Sequence, residues 1–220
     1  MNRRFAAAIP HIDLFPVSSI NSTNVRDLTR LCMRRPVVRE TIPQWYYYEG
    51  CGIIYKYMAA KKTVYIESTI PSYATALPSS NILNIVRKAQ TLDFWNMCDT
   101  YKLVISQDVL DEISKGDPEA AQRRLDFVKG IELLPELEGI DPLSILYQSL
   151  FHIPARAKID CSHLAYCVLH RIDYLLTWNC AHLGPVVQDK MRVYNDAHNL
   201  WTPVLIPPAA LFGITEEGRP

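Results

Sequence analysis

The sequence predicts an α/β fold of three layers, α/β/α, in which helices cover both faces of a mostly parallel central sheet of about five strands. Short apolar runs alternate with longer segments of helical period between residues 63 and 206, which is the pattern of repeated strand–helix–strand units. The composition, 49% hydrophobic and 21% charged, is typical of a globular protein with a substantial core. The chain has only eight glycines and neither a P-loop nor a GxGxxG pattern, so a phosphate-binding loop is not expected.

The predicted strands are apolar runs bounded by polar or turn-forming residues. They span residues 64–66, 101–105, 131–134, 174–178 and 203–206. The predicted helices span residues 81–98, 107–116, 120–128, 140–151, 155–170 and 186–198. In the first of these helices, six apolar residues recur at helical spacing and are expected to face the sheet: Ile82, Ile85, Val86, Ala89, Leu92 and Trp95. Ser106 is placed to cap the second helix, and Asp117 with Pro118 begins the third.

Residues 1–57 differ from the rest of the chain. They contain four prolines and the aromatic run at 45–48, and they show no sustained period of 2 or 3.6. Met58 then opens the segment MAAKKTVYIES, which is typical of a bacterial protein start that leads directly into a first strand. We therefore predict that residues 1–57 are a poorly structured extension, that Met58 is the true start, and that residues 58–220 form the folded domain. A small packed N-terminal appendage is the alternative.

The formal net charge is zero, but it is unevenly distributed. Residues 1–57 contain eight basic and four acidic residues, which leaves 15 basic and 19 acidic residues in the remaining 163. A domain with this balance is not expected to bind nucleic acid through bulk charge, so any such binding must depend on local basic patches and bound cations. No apolar run reaches the roughly 18 residues of a membrane helix. The apolar run at residues 5–9 is stopped by Pro10 and only briefly imitates a signal peptide, so we predict a cytoplasmic protein. The six cysteines show no CxxC or zinc-binding spacing, so we expect reduced thiols.

Four polar residues occupy strand ends or apolar helix faces. Glu67 follows the first strand in VYIESTIPS, just before a break at Pro71, and Asn179 ends the fourth strand. Glu112 lies at the edge of a buried helical stripe, and Asp160 interrupts an apolar helix face, where a carboxylate needs a cation or strong donors. The carboxyl ends of parallel strands meet at one edge of a sheet, and clustered carboxylates there repel one another unless a divalent ion lies between them.

Each of these positions also has a purely structural interpretation, which the residues alone leave open. Glu112 would then be a solvated helix acid, and Asp160 would cap its helix or pair with Arg156 or Lys158. Asn179 would only form a turn.

Three segments carry a resemblance to a known family. VYIESTIPS, LVISQDVLDEISKGDPEAAQRR and AKIDCSHLAYCVLHRIDYLLTWNCAHL, in this order and spacing, resemble a PIN-domain protein of the VapC toxin type, in the branch whose first strand reads YIE rather than YLD. The resemblance covers residues 63–206 and does not extend to residues 1–57. It implies a PIN-like fold and a ribonuclease that depends on one or two Mg²⁺ or Mn²⁺ ions.

The resemblance also implies roles for individual residues. The implied metal ligands all carry oxygen, which suits hard divalent cations; they are Glu67, Glu112, Asp160 and Asn179. The three carboxylates of this set are also the implied catalytic residues, and either Glu67 or Asp160 would orient or deprotonate the attacking water. Three polar residues are expected to support them, the last of them mainly through helix packing: Ser68, Thr177 and His163. Glu67 replaces the shorter Asp of most PIN domains and Asn179 lacks a charge, so a second ion is expected to bind weakly or only with substrate.

The sequence thus leads to two functional hypotheses. The first is a metal-dependent endoribonuclease that acts as the toxin of a type II toxin–antitoxin system, with RNA as substrate, a cognate antitoxin protein as partner, a homodimeric state and no membrane association. The alternative is a catalytically impaired PIN-like module that binds RNA or a protein. An acid-centred phosphotransferase is disfavoured, because Glu67 stands where an aspartyl nucleophile would be expected.

Overall fold

The computed structural model describes residues 61–211 of the 220-residue chain, and these residues form a five-stranded parallel sheet with helices around it. The strands are β1 (Thr63–Ile66), β2 (Lys102–Ile105), β3 (Glu132–Leu133), β4 (Tyr174–Leu176) and β5 (Val204–Ile206). Every neighbouring pair of strands is parallel. The predicted three-layer α/β/α fold is therefore confirmed. The predicted extension over residues 1–57 and the predicted start at Met58 lie outside the described residues.

The helices fall into groups that pack against one another around the sheet. They are α1 (Thr69–Ala74), α2 (Ile82–Trp95), α3 (Gln107–Ile113), α4 (Pro118–Phe127), α5 (Ile140–Phe151), α6 (Lys158–Leu169), α7 (Pro185–Ala197) and α8 (Pro208–Leu211). Helix α5 packs against α6 and α7, while α2 packs against α1 and α8. The side chains of β1 and β4 at the centre of the sheet are almost all buried, which is expected for parallel strands covered on both faces.

The strand order positions a crevice at the centre of the sheet. The order is β3-β2-β1-β4-β5, so the chain runs outward from β1 to β3 and then continues on the other side of β1. In such sheets ligands bind where the order reverses, outside the carboxyl ends of the two central strands. The backbone N–H of Glu67 donates to the carbonyl of Leu176 at 3.1 Å, which joins the ends of β1 and β4 at this point. The residues that follow these two strands therefore meet at one crevice.

Helix α2 packs through a different face from the predicted one. Its fully buried residues are Thr91 and Phe94. Of the six residues expected to face the sheet, Trp95 is half-buried and the other five are exposed: Ile82, Ile85, Val86, Ala89 and Leu92. The hydroxyl of Thr91 accepts a hydrogen bond from Trp178 Nε1 at 2.8 Å, and Phe94 joins the core. The predicted orientation of this helix is therefore wrong, because α2 packs mainly on α1 and α8 and its orientation depends on the Trp178 and Phe94 rings.

The two capping predictions have different outcomes. Asp117 accepts a hydrogen bond from the backbone N–H of Ala120 at 2.8 Å, and Pro118 is the first residue of α4, as predicted. Ser106 stands at the N-cap of α3, but its hydroxyl makes no capping bond. It lies instead 2.5 Å from the hydroxyl of Tyr65. The prediction that the Ser106 side chain caps the helix is therefore wrong.

The described cysteines are free thiols, and their burial differs. Cys161 and Cys167 are buried and Cys180 is exposed. Burial, together with the charge of Asp160, raises the pKa of Cys161 to about 12. Among residues 61–211, no helix has the length and apolar character required to cross a membrane.

Candidate metal and acid site

Glu67, at the carboxyl end of β1, carries a carboxylate that is almost completely buried, with 2% of the residue exposed. Its Oε1 accepts a hydrogen bond from Ser68 Oγ at 2.7 Å. Its Oε2 accepts from the Thr69 backbone N–H at 3.1 Å, from the Thr69 hydroxyl, and from Thr177 Oγ1 at 2.8 Å. Four donors thus compensate for the burial of this carboxylate.

Glu112 reaches the same crevice from α3 and is paired with a buried histidine. Its Oε2 accepts a hydrogen bond from His163 Nε2 at 2.9 Å, and its side chain is only 23% exposed. It is therefore not a solvated helix acid. The other ring nitrogen, Nδ1 of His163, lies 2.8 Å from the hydroxyl of Tyr65, which contacts Ser106 Oγ in turn. A continuous hydrogen-bonded chain thus runs from the end of β2, through β1 and α6, to the Glu112 carboxylate.

Glu67, Glu112 and His163 form a compact group that could hold a metal ion. One ligand atom from each side chain lies within 4.8 Å of those from the other two. Two of the side chains are buried and Glu112 is half-buried. Carboxylate oxygens together with an imidazole nitrogen are a donor set that divalent transition metals accept readily.

Asp160 lies beside this group on α6 and is 5% exposed. Its Oδ1 accepts a hydrogen bond from Asn179 Nδ2 at 3.0 Å, and its Oδ2 lies 2.9 Å from His182 Nδ1. The donors expected around this buried carboxylate are therefore present, but among the described residues they are Asn179 and His182, and neither Arg156 nor Lys158 pairs with it. The amide of Asn179 is turned so that its nitrogen faces Asp160.

Burial and neighbouring charges move the pKa values of the site in different directions. Burial raises the pKa of Asp160, and the hydrogen bond from His182 and the charge of His163 do not offset it. Burial also opposes ionisation of Glu112, but the hydrogen bond and charge of His163 outweigh it and lower the pKa of Glu112. For His163, burial lowers the pKa, but the hydrogen bond to Glu112 and the charge of Glu67 outweigh it and raise the pKa. Glu112 and His163 therefore favour the ion pair, whereas ionisation of Asp160 is less favourable than that of an exposed carboxylate.

The predicted site residues thus lie at one crevice, in two adjoining sets. Glu67 and Glu112 belong to the compact group, whereas Asp160, a predicted ligand, is not a member of it. Asp160 and Asn179 are instead hydrogen-bonded to each other. His163, for which a packing role was expected, is the third member of the compact group. Ser68 and Thr177, the predicted supporting hydroxyls, both donate to Glu67.

Three residues of the site did not stand out in the sequence: Tyr65, Thr69 and His182. Tyr65 looks like an ordinary apolar strand residue, and Thr69 like the start of a turn. His182 follows the predicted ligand Asn179 by three residues in the loop before α7, and this proximity of a titratable side chain is the one signal that could have identified it.

Comparison with known proteins identifies no family for this chain. No protein-family model matches it, and a search of curated proteins finds no significant similarity.

Proposed function

We propose that this protein is a metal-dependent endoribonuclease, similar to PIN-domain proteins of the VapC type, and that it acts as the toxin of a toxin–antitoxin pair. The observation that carries the proposal is the compact group of Glu67, Glu112 and His163 at the crevice where the strand order reverses. The resemblance over residues 63–206 supports the reaction and the substrate class.

The ion would be held by the carboxylates of Glu67 and Glu112, with His163 as the third donor once Nε2 has lost the proton that it shares with Glu112. One nitrogen among the ligands favours Mn²⁺ over Mg²⁺, since Mg²⁺ prefers sets composed of oxygen alone. When bound, the ion supplies positive charge against the phosphoryl oxygens and favours ionisation of the attacking water. Ser68, Thr69 and Thr177 would hold Glu67 in position through their hydrogen bonds.

Asp160 is our candidate for the proton acceptor. In hydrolysis, the oxygen of water bonds to phosphorus while the bond to the leaving oxygen breaks; the water loses one proton and the leaving oxygen gains one. The first proton suits Asp160, because this buried carboxylate lies beside the compact group. Asn179 and His182 hold its two oxygens and so fix its orientation.

The proposal includes a cognate antitoxin protein and a homodimeric state, both of which the resemblance implies. The exposed apolar surface of α2 supports a protein contact of this kind. Leu77, Ile85 and Leu92 line a groove of about 580 Å³ on this surface. Contiguous exposed apolar surface on a soluble protein commonly marks a contact site.

Cleavage of a mixed pool of structured RNA by the full chain tests the proposal. We expect cutting with Mg²⁺ or Mn²⁺ and none with EDTA. Asp160→Asn should lower the rate by about 10²- to 10⁴-fold, the usual contribution of a general base. Asp173→Asn is the matched control, because Asp173 is another partly buried carboxylate but lies at the amino end of β4, where it pairs with Lys62.

Two other results would change the conclusion. If the folded protein binds Mn²⁺ in calorimetry but cuts no RNA, the impaired binding module becomes the better hypothesis. If it binds no divalent ion at all, the proposed metal site is wrong.

A further inference from the structure

Arg87, on α2, is a half-buried cation that pairs with no carboxylate among residues 61–211. Its Nη1 donates a hydrogen bond to the hydroxyl of Tyr73 at 2.6 Å. Its Cζ lies 5.3 Å from the centroid of the Tyr73 ring and 5.6 Å from that of the Trp178 ring. Cation–π contacts of this kind hold a guanidinium in place but leave its charge and most of its N–H donors available.

The aromatic pair that holds Arg87 belongs to the same two chain segments that carry the acids. The hydroxyl of Thr69 donates to Glu67 and accepts from the backbone N–H of Trp178 at 2.8 Å. Tyr73 follows Thr69 by about one helical turn on α1. Trp178 also lies directly between Thr177, which donates to Glu67, and Asn179, which donates to Asp160. The two rings that hold the Arg87 guanidinium therefore belong to residues close in the chain to those that donate hydrogen bonds to Glu67 and Asp160.

Three other arginines of the described chain are engaged or placed differently. Arg124 donates to the backbone carbonyls of residues 113 and 115, and Arg192 pairs with Asp189. Arg171 also stacks on an indole, 5.6 Å from the Trp201 ring, but both residues precede their strands and so lie at the amino edge of the sheet. Arg171 thus makes the same kind of cation–π contact as Arg87, but at the end of the sheet opposite to the acids.

We propose that Arg87 binds a backbone phosphate of the RNA strand, adjacent to the phosphate that is cleaved. The inference rests on the proposed function for its substrate. A guanidinium suits a phosphate because two parallel N–H groups can donate to two phosphate oxygens. The domain after residue 57 carries more acidic than basic groups, so fixed local cations must offset the repulsion between the strand and the acids. Trp178 serves as a support for Arg87, since its Nε1 is bonded to the buried Thr91.

Binding of a fluorescein-labelled single-stranded RNA to the full chain, followed by anisotropy over a series of salt concentrations, tests the inference. Measurements in Ca²⁺ and again in EDTA separate binding from cutting. Arg87→Gln should weaken binding several-fold for all sequences alike and reduce the slope of log K against log salt by about 0.7, the value for one phosphate contact on a single strand. Arg87→Lys should keep the slope but bind less tightly, because it lacks the planar pair of donors.

Arg171→Gln is the matched control and should behave like the wild type. Tyr73→Phe removes only the hydroxyl that orients Arg87, so it should weaken RNA binding and leave the salt slope unchanged. If Arg87→Gln does not fold, Tyr73→Phe and Arg87→Lys together provide the test. The inference is wrong if Arg87→Gln binds RNA as the wild type does, if Arg171→Gln weakens binding equally, or if the wild type binds no RNA.

The outcome is distinguishable from a failure of the proposed function. RNA binding that depends on Arg87 in a protein that never cuts would contradict the nuclease and retain the phosphate contact. If the protein cuts RNA in a metal-dependent way and Arg87→Gln binds and cuts RNA as the wild type does, the nuclease is supported and the phosphate contact is contradicted.

Discussion

Tyr65 is a buried strand residue whose hydroxyl is hydrogen-bonded to His163, a histidine of the site. The side chain is fully buried, and its hydroxyl lies between Ser106 Oγ and His163 Nδ1. Burial raises the pKa of Tyr65 well above its usual value, so the phenol stays protonated. Because one ring nitrogen of His163 is bonded to Tyr65, the other is directed to Glu112. We therefore expect Tyr65 to be a positioning residue of the proposed metal site, acting through His163.

We expect Tyr65→Phe to weaken Mn²⁺ binding by about 10- to 100-fold, the usual effect of losing a hydrogen bond to a metal-binding histidine. It should also lower the free energy of unfolding by about 1–3 kcal/mol, because the buried Ser106 hydroxyl and His163 nitrogen lose a partner. Isothermal titration calorimetry and urea unfolding measure the two effects.

Tyr147→Phe is the control for this substitution. Tyr147 is also fully buried, and its hydroxyl donates to Asn195 Oδ1 at 2.5 Å, away from the carboxylates. The control should lose a similar amount of stability and keep the wild-type affinity for Mn²⁺. Equal Mn²⁺ affinity in the two variants would contradict the positioning role.

At the scale of elements, the strands were predictable because their signal is local. All five predicted strands are present, and so are the six predicted helices, with ends displaced by a few residues. Helices α1 and α8 were not predicted, the first because Pro71 was interpreted as a break. Pro71 is in fact the third residue of α1, and proline is tolerated in a first turn, where backbone N–H groups have no helical partner. The packed face of α2 was missed because it depends on contacts distant in sequence.

The same distinction explains which parts of the candidate site were predictable. Strand ends indicated Glu67 and Asn179, and the topology of the sheet explains why they meet. The contact between Tyr65 and His163 joins residues 98 positions apart, and that between Asp160 and His182 crosses from a helix to a loop. No local pattern reports such pairs.

Helix α2 offers a direct test of which of its faces is packed. Leu83 is 62% exposed, whereas Phe94 is 1% exposed. Leu83→Gln should therefore change the free energy of unfolding by less than about 0.5 kcal/mol, as is usual at a surface position. Phe94→Ala should cost about 3–5 kcal/mol, because it leaves a cavity in the core. Urea unfolding of the two variants measures the difference. A loss of more than about 1 kcal/mol for Leu83→Gln would show that this face is covered in solution.

At the scale of the whole molecule, the fold concentrates buried acids at one end of the sheet. Glu67 and Asp160 are both almost fully buried, and the charge of Glu67 adds to the effect of burial in opposing ionisation of Asp160 in the absence of a cation. A cation bound by the compact group would relieve this repulsion in the folded state. In the unfolded chain the same side chains are separated and bind the ion weakly, so metal binding and folding are linked.

Added Mn²⁺ should therefore raise the thermal unfolding temperature of the full chain. At a concentration 100 times its Kd, the ion should stabilise the fold by about 2.7 kcal/mol. Mg²⁺ at the same concentration should stabilise it less, because the proposed ligand set includes a His163 nitrogen. Glu67→Gln removes one ligand charge with little change of shape and should abolish the effect, while Asp173→Asn should retain it. Circular dichroism follows the transition in each case. Equal stabilisation by Mg²⁺ and Mn²⁺ would show that His163 is not a ligand, and stabilisation that survives in Glu67→Gln would show that the ion binds elsewhere.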